Sequence, residues 1–537
     1  MNILEPIYEE LLGTMLTMQE RDPHLFAEQS NIFNNFRKNP QFYIYTEIAL
    51  KNLYGVDIMR EAVETAKLRL FLKMASVLDV NTRAYNMGLD PLPDLDFNLF
   101  SGNSLTGDVD LSAVSIHTNT LEEFLHLRNK FNDLQLFDHN NMDEITSTKR
   151  RMNKILLNVE KSLNHIDPNS NDLESLIANE RPFHWVVSFY SIMKNGGFDV
   201  IVGNPPYREN NRLSYSVANY DTADCGNVYT CMMERALDIS RSDSYVGMIV
   251  QLPIVCTDRM KSAQQLLLSK ECWLYNFDDR PGKLFENLQH IRATIVIMTG
   301  NKSAVFSSKY NRWYTETRNV LFNSLTCVPA FFIPSYISIP KVGSKIVKSI
   351  LQKISGNQSI KAIAGTGNKL LYYHNAPLYF TRGTNFLPYF SNDRGDSISS
   401  SVKTISFSSE EERDICCCLL NSSLFYMWFV LFSDCRHLNV REIENFPLGF
   451  SHMKKDIKDK LVELCQELME DLNHNKIRKV TNGARNGRVE FDEFKPKPSK
   501  PIFDKIDALL AEHYHFTPIE LDYIVNYDVK FRMNDDV

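Results

Sequence analysis

The sequence predicts an α/β fold, and three short apolar segments carry that prediction. Val200 to Val202 form a β-branched run of the kind found in buried strands of parallel sheets. The segment 53–58, LYGVDI, has the same character and leads into a helix-patterned stretch. Residues 97–101 form a third short strand. Strands that alternate with helical patterns are typical of a parallel sheet covered by helices.

Composition restricts the class of protein further. The 537 residues allow about two to four domains, and the hydrophobic content of 43% is ordinary for a globular protein. No apolar run is long enough to span a bilayer and no signal peptide opens the chain. Ten cysteines without C-x-x-C pairs or a ligand-like histidine spacing predict reduced thiols, no metal site and a cytoplasmic location. A net charge of −7 means that nucleic-acid binding has to rest on local basic patches.

The stretch 198–207, FDVIVGNPPY, carries the most specific chemistry in the chain. Pro205 and Pro206 fix the backbone and withhold two N–H donors, so the loop after the strand is stiff and rich in acceptors. The side-chain oxygen of Asn204 and a neighbouring carbonyl are such acceptors, and Tyr207 adds a flat aromatic face. A planar substrate with an exocyclic amine fits this loop, stacked on the tyrosine and donating its N–H groups.

FDVIVGNPPY resembles motif IV of amino-group methyltransferases that use S-adenosylmethionine (SAM). From about residue 1 to 533 the sequence is similar to adenine-N6 DNA methylases of the TaqI type and to the larger type IIG and PglX-like modification enzymes. The resemblance implies a Rossmann-like SAM-methyltransferase domain that moves a methyl group to a flipped adenine in double-stranded DNA, within a restriction-modification or phage-defence system. It gives catalytic roles to Asn204, Pro205, Pro206 and Tyr207, and to Phe285 as an aromatic against the flipped base.

The same resemblance implies two residues that bind SAM. Asp57 ends the strand at 53–58, where the family holds the ribose hydroxyls, although an acidic residue there also suits a helix N-cap. Asn103 follows the strand at 97–101, where the family contacts the adenine ring, although asparagine is also a common turn residue. The text RPFHW at 181–185 matches a family signature before motif IV, and we interpret His184 in it as structural because no metal-ligand partner has a suitable spacing.

One part of the family pattern does not occur in this sequence. The family has a central first strand followed by a glycine-rich loop of the form D-P-x-C-G-S-G, called motif I, which approaches the methionine part of SAM. Here apolar residues at helical spacing begin at Ile3, and no such loop is found. We therefore expect that the central first strand is missing and that motif I is lost or supplied by a partner chain. We also expect that this chain alone does not bind SAM productively.

Changes in residue composition and in the length of apolar runs along the chain predict three regions. Residues 1–330 are expected to form the methyltransferase catalytic domain, with a helical insertion near 107–195. An α+β target-recognition domain is expected at 331–450, because its end closely resembles that domain of the same methylases. Residues 451–537 are expected to be a helical C-terminal region, interrupted by a basic linker at 476–500 that carries eight Lys or Arg.

Two other functions remain open from the sequence. The first is a non-catalytic DNA-recognition subunit or a decayed fragment, because motif I is absent. The second is an RNA or protein-glutamine methyltransferase, since some of these enzymes also carry NPPY. Those enzymes are typically shorter and lack a recognition domain after the sheet, so they rank behind the other two.

Overall fold

The computed structural model describes residues 1–35, 39–78, 91–137, 141–164, 182–285, 290–300, 302–334, 336, 338–377, 379–483 and 487–533. The chain divides into two compact units. Unit 1 comprises Met1–Ile201, Arg208–Ala223 and Cys231–Ser244. Unit 2 comprises Val202–Tyr207, Asp224–Thr230 and Tyr245–Val537.

Unit 1 is mainly helical and contains one small parallel sheet. Its elements are α1 (Glu5–Arg21), α2 (Ala27–Asn35), α3 (Pro40–Lys51), β1 (Gly55–Asp57), α4 (Arg60–Ala75), β2 (Leu99–Ser101), a 3-10 helix (Leu111–His117), α5 (Thr118–Phe137), α6 (Met142–Leu163), α7 (Trp185–Ser188) and α8 (Tyr190–Lys194). The boundary between the units crosses β3 (Phe198–Gly203), α9 (Val228–Asp238) and β4 (Ser240–Gln251).

The parallel sheet of unit 1 aligns the ends of its two strands. β1 and β2 pair in parallel with Asp57 opposite Ser101, and α4 lies between them in sequence. Apolar side chains of α3, such as Ile48, are buried in one core together with Met74 of α4. Since parallel strands end at the same edge of a sheet, the residues that follow β1 and β2 lie side by side.

Unit 2 carries the remaining elements. They are α10 (Pro253–Cys256), α11 (Lys261–Leu268), β5 (Glu271–Phe277), β6 (Ala293–Thr299), β7 (Ala304–Asn311), α12 (Arg318–Leu321), β8 (Val328–Pro329), α13 (Lys345–Ile354), β9 (Ala364–His374), β10 (Gly383–Thr384), β11 (Phe390–Asn392), β12 (Gly395–Asp396), β13 (Val402–Phe407), α14 (Glu410–Asn421), α15 (Ser423–Phe432), α16 (Val440–Glu444), α17 (Lys455–Asn475), β14 (Ile477–Gly483), β15 (Gly487–Glu493), α18 (Pro496–Tyr514), α19 (Pro518–Val525) and α20 (Val529–Arg532). The class of the protein is therefore mixed α/β, as the sequence predicts.

Three sheets involve the strands from β3 onward, and the largest has six strands. Its order is β3-β4-β6-β5-β7-β8, with β6 antiparallel to both β4 and β5 and with β5 parallel to β7. A three-stranded sheet has the order β10-β9-β13, and a four-stranded sheet has the order β12-β11-β15-β14.

The prediction that Val200 to Val202 form a buried strand is wrong about burial. The residues are indeed in a strand, β3, but Val200 is 63% exposed and Val202 is 83% exposed. β3 is the edge strand of the six-stranded sheet. The two valines are two residues apart and so point to the same face of that strand, which no other described part of the chain covers.

Residues 476–500 are not the linker that the sequence predicts. They form the hairpin β14–β15 and the start of α18, and β15 pairs antiparallel with β11. The charges that suggest a solvated linker are paired across the hairpin, where Arg478 contacts Asp492 at 2.7 Å and Lys479 contacts Glu493 at 2.7 Å. Opposite charges on adjacent strands stabilise a hairpin instead of disrupting it.

The two compact units differ from the predicted domain bounds. The division passes through β3, inside the region 1–330 that the sequence assigns to one catalytic domain. The β1–β2 sheet and the six-stranded sheet share no hydrogen-bonded strand, although Val56 of β1, Phe100 of β2 and Phe198 of β3 pack against the same buried cluster.

The apolar helix α15 belongs to the core of unit 2. All ten of its residues are buried, including Trp428 and Phe432. In the part of the chain that is described, no single helix is both long and apolar enough to cross a membrane. α14 and α15 reach that length and apolarity only as a pair bent by 70°.

Candidate functional site

The NPPY loop follows β3 directly and alternates between exposed and buried residues. Asn204 and Pro206 are exposed and Pro205 is buried, whereas Tyr207 is half-buried. The Asn204 side chain forms no hydrogen bond with any described residue, so its oxygen and its NH2 group are free for a ligand. Because the prolines restrict the backbone, the loop fixes the point from which this side chain extends, and no described residue holds the amide group itself.

Tyr207 is held by contacts on its hydroxyl and on its ring. Its hydroxyl donates a hydrogen bond to the carbonyl of Ile249 at 3.1 Å. Its ring meets the ring of Tyr229 edge to face, with centroids 6.2 Å apart. Burial raises the pKa of Tyr207 to about 12, so the phenol stays neutral at physiological pH. An aromatic ring fixed in this way offers a rigid face beside Asn204.

Asp57 lies at the carboxyl end of β1 and is exposed to solvent. One carboxylate oxygen accepts a hydrogen bond from the backbone N–H of Met59 at 2.7 Å, just before α4 begins at Arg60. This is the local turn role that an acidic residue often has at a helix start. The second oxygen, Oδ2, makes no hydrogen bond to the described residues and is free to accept one from a ligand hydroxyl.

Asn103 lies beside Asp57, at the carboxyl end of the neighbouring strand. The backbone N–H of Gly102 donates to the carbonyl of Asp57 at 2.9 Å, which joins the two strand ends. Asn103 is only 3% exposed, and its Oδ1 accepts from the N–H of Leu105 at 3.1 Å. Its Nδ2 is buried and has no hydrogen-bond partner among the described residues. An unpaired buried donor is costly, and a bound acceptor would remove that cost.

The loop at 102–107 is fixed by residues from distant parts of unit 1. Trp185 donates from Nε1 to the carbonyl of Ser104 at 3.1 Å. Gly107 has φ +95°, and a Cβ there would lie 2.4 Å from the Phe183 carbonyl oxygen, so only glycine fits. The RPFHW segment, of which residues 182–185 are described, therefore packs against the turn that contains Asn103.

Tyr220 and Arg235 also hold this loop, and sequence reasoning missed both. The Tyr220 hydroxyl donates to the Leu105 carbonyl at 2.7 Å, and Nη2 of Arg235 donates to the same carbonyl at 3.1 Å. Nε of Arg235 also donates to the Tyr220 hydroxyl at 2.7 Å. The available sequence signal was the charge of Arg235 inside the apolar pattern of α9, because such a residue needs a buried acceptor.

His184 has the structural role that the sequence suggests. It is 5% exposed, and its Nδ1 lies 2.9 Å from an Asp108 carboxylate oxygen. Burial lowers the pKa of His184. The residue therefore ties α7 to the segment after the 102–107 loop.

The structure brings the predicted site residues together in two groups. Asp57 and Asn103 are neighbours in unit 1, and the NPPY loop belongs to unit 2 apart from its approach strand. Phe285 is also in unit 2, in the segment between β5 and β6, and is half-buried. No ring contact joins Phe285 to Tyr207, so the structure provides no contact that pairs these two aromatic residues.

Comparison with known proteins gives one family match and one curated relative. Residues 51–283 match the Eco57I restriction-modification methylase family, and this range contains Asp57, Asn103 and the NPPY loop. A Methanocaldococcus jannaschii protein, provisionally named a type II restriction enzyme and methyltransferase, is 26% identical over 326 residues. These residues are 49% of this chain and 26% of the relative, so the chain matches about a quarter of that protein's length.

Two solved structures have a distant likeness to this chain. One is a nuclease-deletion mutant of the Type ISP restriction-modification enzyme LlaGI in complex with a DNA substrate mimic. It is 10% identical, with a TM-score of 0.41, over 90% of this chain and 51% of that chain. The other is the EcoKI M protein of a Type I restriction enzyme, 12% identical with a TM-score of 0.19, over 57% of this chain and 74% of that chain. Residues 51–283 are therefore similar to restriction-modification methylases.

Proposed function

We propose that this protein is a site-specific DNA methyltransferase that methylates N6 of a flipped adenine, within a restriction-modification or phage-defence system. The observation that carries the proposal is the free amide of Asn204, which is exposed, unpaired and held on a stiff loop at the end of β3. An exocyclic amine needs two acceptors, and the Asn204 side-chain oxygen and the Pro205 carbonyl provide them.

These acceptors explain how the loop activates the amine. The lone pair of adenine N6 is delocalised into the ring, which makes the nitrogen a poor nucleophile. Two N–H···O bonds to Asn204 and Pro205 favour a pyramidal nitrogen whose lone pair points away from the ring. SAM supplies, when bound, a methyl group on a positively charged sulfur, so the residues of this chain have to position the amine and need no strong base.

Tyr207 stabilises the flipped base. Removing a base from the duplex costs a few kcal/mol, and stacking on an aromatic side chain is worth about 1–3 kcal/mol per base. The Tyr207 ring is fixed through Ile249 and Tyr229 before a base arrives, so little side-chain entropy is lost on binding. Phe285 is proposed as a second aromatic surface against the base.

The residues present fit the adenosine half of SAM. The free Oδ2 of Asp57 suits a ribose hydroxyl, and the unpaired Nδ2 of Asn103 suits an acceptor nitrogen of the adenine ring. The methionine half has no counterpart, because no glycine-rich loop follows a strand ahead of β1 in this sequence. We therefore assign motif I to a segment outside the 537 residues, either in a longer form of the chain or in a partner chain.

A non-catalytic recognition subunit is the second candidate function. It is favoured by the uncovered face of β3, where Val200 and Val202 are exposed, together with the absence of motif I. In that case residues 331–450 would still recognise double-stranded DNA, whereas Asp57 and Asn103 would bind no cofactor. An RNA or protein-glutamine methyltransferase is disfavoured by the long region after the sheet.

A methyl-transfer assay distinguishes these functions. The chain, supplied with a motif I segment in the same chain or in trans, is incubated with labelled SAM and duplex DNA, RNA or protein, and the modified base is identified by mass spectrometry. We expect N6-methyladenine, with at least about a hundredfold loss in Asn204→Ala. Asn153→Ala, an exposed asparagine on α6, is the matched control and should transfer normally. Label on cytosine, RNA or glutamine, or no transfer under any condition, would refute the proposal.

A further inference from the structure

Unit 2 contains a small cavity that the proposed chemistry does not use. Its volume is about 270 Å³, just below the range of about 300–1,000 Å³ that is usual for small-molecule sites. Four segments meet around it: the end of β5, the start of β6, the residues after β9 and the residues after α15. A cavity of this size suits a small polar group. The described residues that line it are Asp279, Arg280, His290, Arg292, Ala376, Arg436 and His437.

Basic side chains dominate the wall of this cavity. Three arginines and two histidines line it together with one carboxylate, that of Asp279. Among the described lining residues, Ala376 alone is apolar. A cleft with an excess of one charge concentrates ions of the opposite charge. The cavity therefore favours an anion over an apolar or a cationic ligand.

The inner wall is an ion-paired layer. Asp279 is 5% exposed, and its Oδ1 lies 3.3 Å from Nε of Arg292. The same Nε lies 3.4 Å from Oδ1 of Asp278, whose Oδ2 accepts from Nε of Arg312 at 2.9 Å. Asp528, a further partner of Arg312, does not line the cavity. The buried carboxylates are thus compensated by arginines, and the excess positive charge lies on the outer side chains.

The two outer arginines have unused donors. Nη2 of Arg280 lies 3.1 Å from Nδ1 of His290, and since a guanidinium cannot accept, the imidazole accepts here and keeps its hydrogen on Nε2. Nε of Arg280 is 4.0 Å from Asp279, at the limit of an ion pair. The guanidinium of Arg436 is exposed and forms neither a hydrogen bond nor an ion pair with any residue that the structure describes. Both groups can therefore donate to a ligand in the cavity.

The turn at 434–437 places Arg436 and His437 at the cavity. Oδ1 of Asp434 accepts from the backbone N–H groups of Arg436 at 2.8 Å and of His437 at 3.0 Å. Its Oδ2 lies 3.9 Å from Nδ1 of His437, and Asp434 itself does not line the cavity. These bonds fix the points from which the two side chains extend before a ligand arrives, which lowers the entropy that binding costs.

We propose that this cavity binds a phosphate group. The forked donors of arginine match phosphate oxygens in pairs. Four outer side chains, those of Arg280, His290, Arg436 and His437, offer more donors than the two oxygens of a carboxylate can accept. The proposal rests on the cavity alone and does not require methyl transfer at the NPPY loop. The phosphate has two sources with the same chemistry, a nucleic-acid strand or a phosphate ester of a small molecule.

Calorimetry on the unmodified chain tests the ligand class without any mutation. The probes are thymidine 5′-monophosphate and thymidine, which differ only in the phosphate. We expect the monophosphate to bind at least about tenfold more tightly, because charge-assisted hydrogen bonds to arginine are among the strong ones. Inorganic phosphate should displace it, and acetate at the same ionic strength should not. Equal binding of thymidine, or equal displacement by acetate, would refute the proposal.

Variants then locate the binding site. Arg436→Gln and Arg280→Gln should each reduce the affinity for thymidine 5′-monophosphate at least about tenfold. Arg488→Gln is the matched control, since it removes the same charge from an exposed arginine of unit 2 that pairs with Glu490 outside the cavity. Circular dichroism checks the fold of each variant. Unchanged binding by the folded Arg436→Gln and Arg280→Gln variants would overturn the assignment.

A DNA duplex separates the two sources. If the phosphate belongs to a nucleic-acid strand, Arg436→Gln should weaken duplex binding and make the dependence of log K on log[salt] shallower by about 0.9. If it belongs to a small molecule, Arg436→Gln should lose the monophosphate and bind the duplex normally. A variant that binds both probes like the unmodified chain would contradict the proposal. These assays use neither SAM nor a motif I segment, so a failed methyl-transfer assay does not count against this site.

Discussion

Tyr207 makes two contacts that depend on different parts of its side chain. The hydrogen bond to the Ile249 carbonyl depends on the hydroxyl, and the contact with Tyr229 depends on the ring. In the proposed mechanism only the ring meets the base. The two contacts can therefore be removed separately.

Tyr207→Phe should keep methyl transfer within a few-fold of the unmodified protein, whereas Tyr207→Ala should reduce it by about tenfold to a hundredfold. The loss in Tyr207→Ala follows from about 1–3 kcal/mol of stacking. Loss of the hydroxyl should lower the free energy of unfolding by about 1 kcal/mol in both variants. Initial rates with saturating DNA and thermal unfolding measure the two effects. If phenylalanine were as inactive as alanine, the hydroxyl and not the ring would be the functional group.

Asp507 gives the fold a pH dependence that can be assigned to one residue. It is buried in α18, and its carboxylate accepts from the backbone N–H groups of Ser423 and Leu424 at 3.0 and 3.1 Å. Burial, partly opposed by these hydrogen bonds, raises the pKa of Asp507 from 3.8 to about 6. The folded protein therefore keeps a proton at pH values where the unfolded chain has released it.

The stabilising effect of this proton is complete below about pH 4 and is lost as the pH rises to about 6. Asp507→Asn has no titrating group and should lack this change, which amounts to about 3 kcal/mol at full extent. We therefore expect the melting temperature of Asp507→Asn, relative to that of the unmodified protein, to increase as the pH rises from 4 to 7. Parallel melting profiles would show that Asp507 titrates in the ordinary acidic range.

At the scale of elements, the 102–107 loop depends on side chains that lie far away in sequence. Tyr220→Phe removes the hydrogen bond to the Leu105 carbonyl, which Arg235 still contacts. We expect a loss of about 1 kcal/mol in stability and a several-fold weaker binding of S-adenosylhomocysteine by the motif I-completed protein. Tyr314→Phe, at an exposed tyrosine of unit 2, is the control and should change neither quantity. If Tyr220→Phe were less stable but bound S-adenosylhomocysteine with normal affinity, the anchoring of the loop would contribute to stability and not to cofactor binding.

The pairing within the four-stranded sheet decides which segment has to be exchanged between relatives to transfer specificity for a DNA sequence. β15 pairs with β11, and the N–H of Arg488 donates to Asp393 at 3.1 Å, so the hairpin needs the segment around residue 392. Exchanging 335–447 alone should leave β14–β15 without its native partner and give an unstable protein. Exchanging 335–493 should transfer the methylated DNA sequence to the recipient. Sequencing of methylated sites measures the outcome, and an unchanged site after a folded exchange of 335–493 would contradict the division of labour.

Some features could be predicted from the sequence and others could not, and the reasons are physical. Asp57 and Asn103 were found because the resemblance to the methylase family assigns SAM contacts to the residues at the ends of these two strands, and the parallel register brings them together. Tyr220 was missed because its partner, Leu105, is more than a hundred residues away and leaves no local pattern. The hairpin at 477–493 was mistaken for a linker because its charges are visible in the sequence and their pairing across strands is not.

At the scale of the whole molecule, the exposed valines of β3 are the least expected feature. Val202 is 83% exposed, although the sequence predicts that its strand, which leads into the NPPY loop, is buried. Large apolar side chains on an edge strand invite another strand or chain, and natural edges usually avoid them. We infer that the segment carrying motif I covers this face in the active form, as the resemblance to the methylase family implies.

Val202→Lys tests this inference in two states of the protein. In the 537-residue chain the side chain is exposed, so the change should alter the free energy of unfolding by less than about 0.5 kcal/mol. In the completed protein, with the D-P-x-C-G-S-G segment supplied in the same chain or in trans, the lysine would be buried under that segment. The cost of burying that charge should weaken SAM binding at least about tenfold.

The measurement is calorimetry with SAM on both states. The chain alone should show no micromolar binding, the completed protein should bind, and completed Val202→Lys should bind weakly. Val320→Lys, at an exposed valine of α12 that is 58% accessible, is the matched control and should bind normally. Micromolar binding by the chain alone would show that motif I is dispensable. Full binding by completed Val202→Lys would mean that the segment completes the site without covering β3.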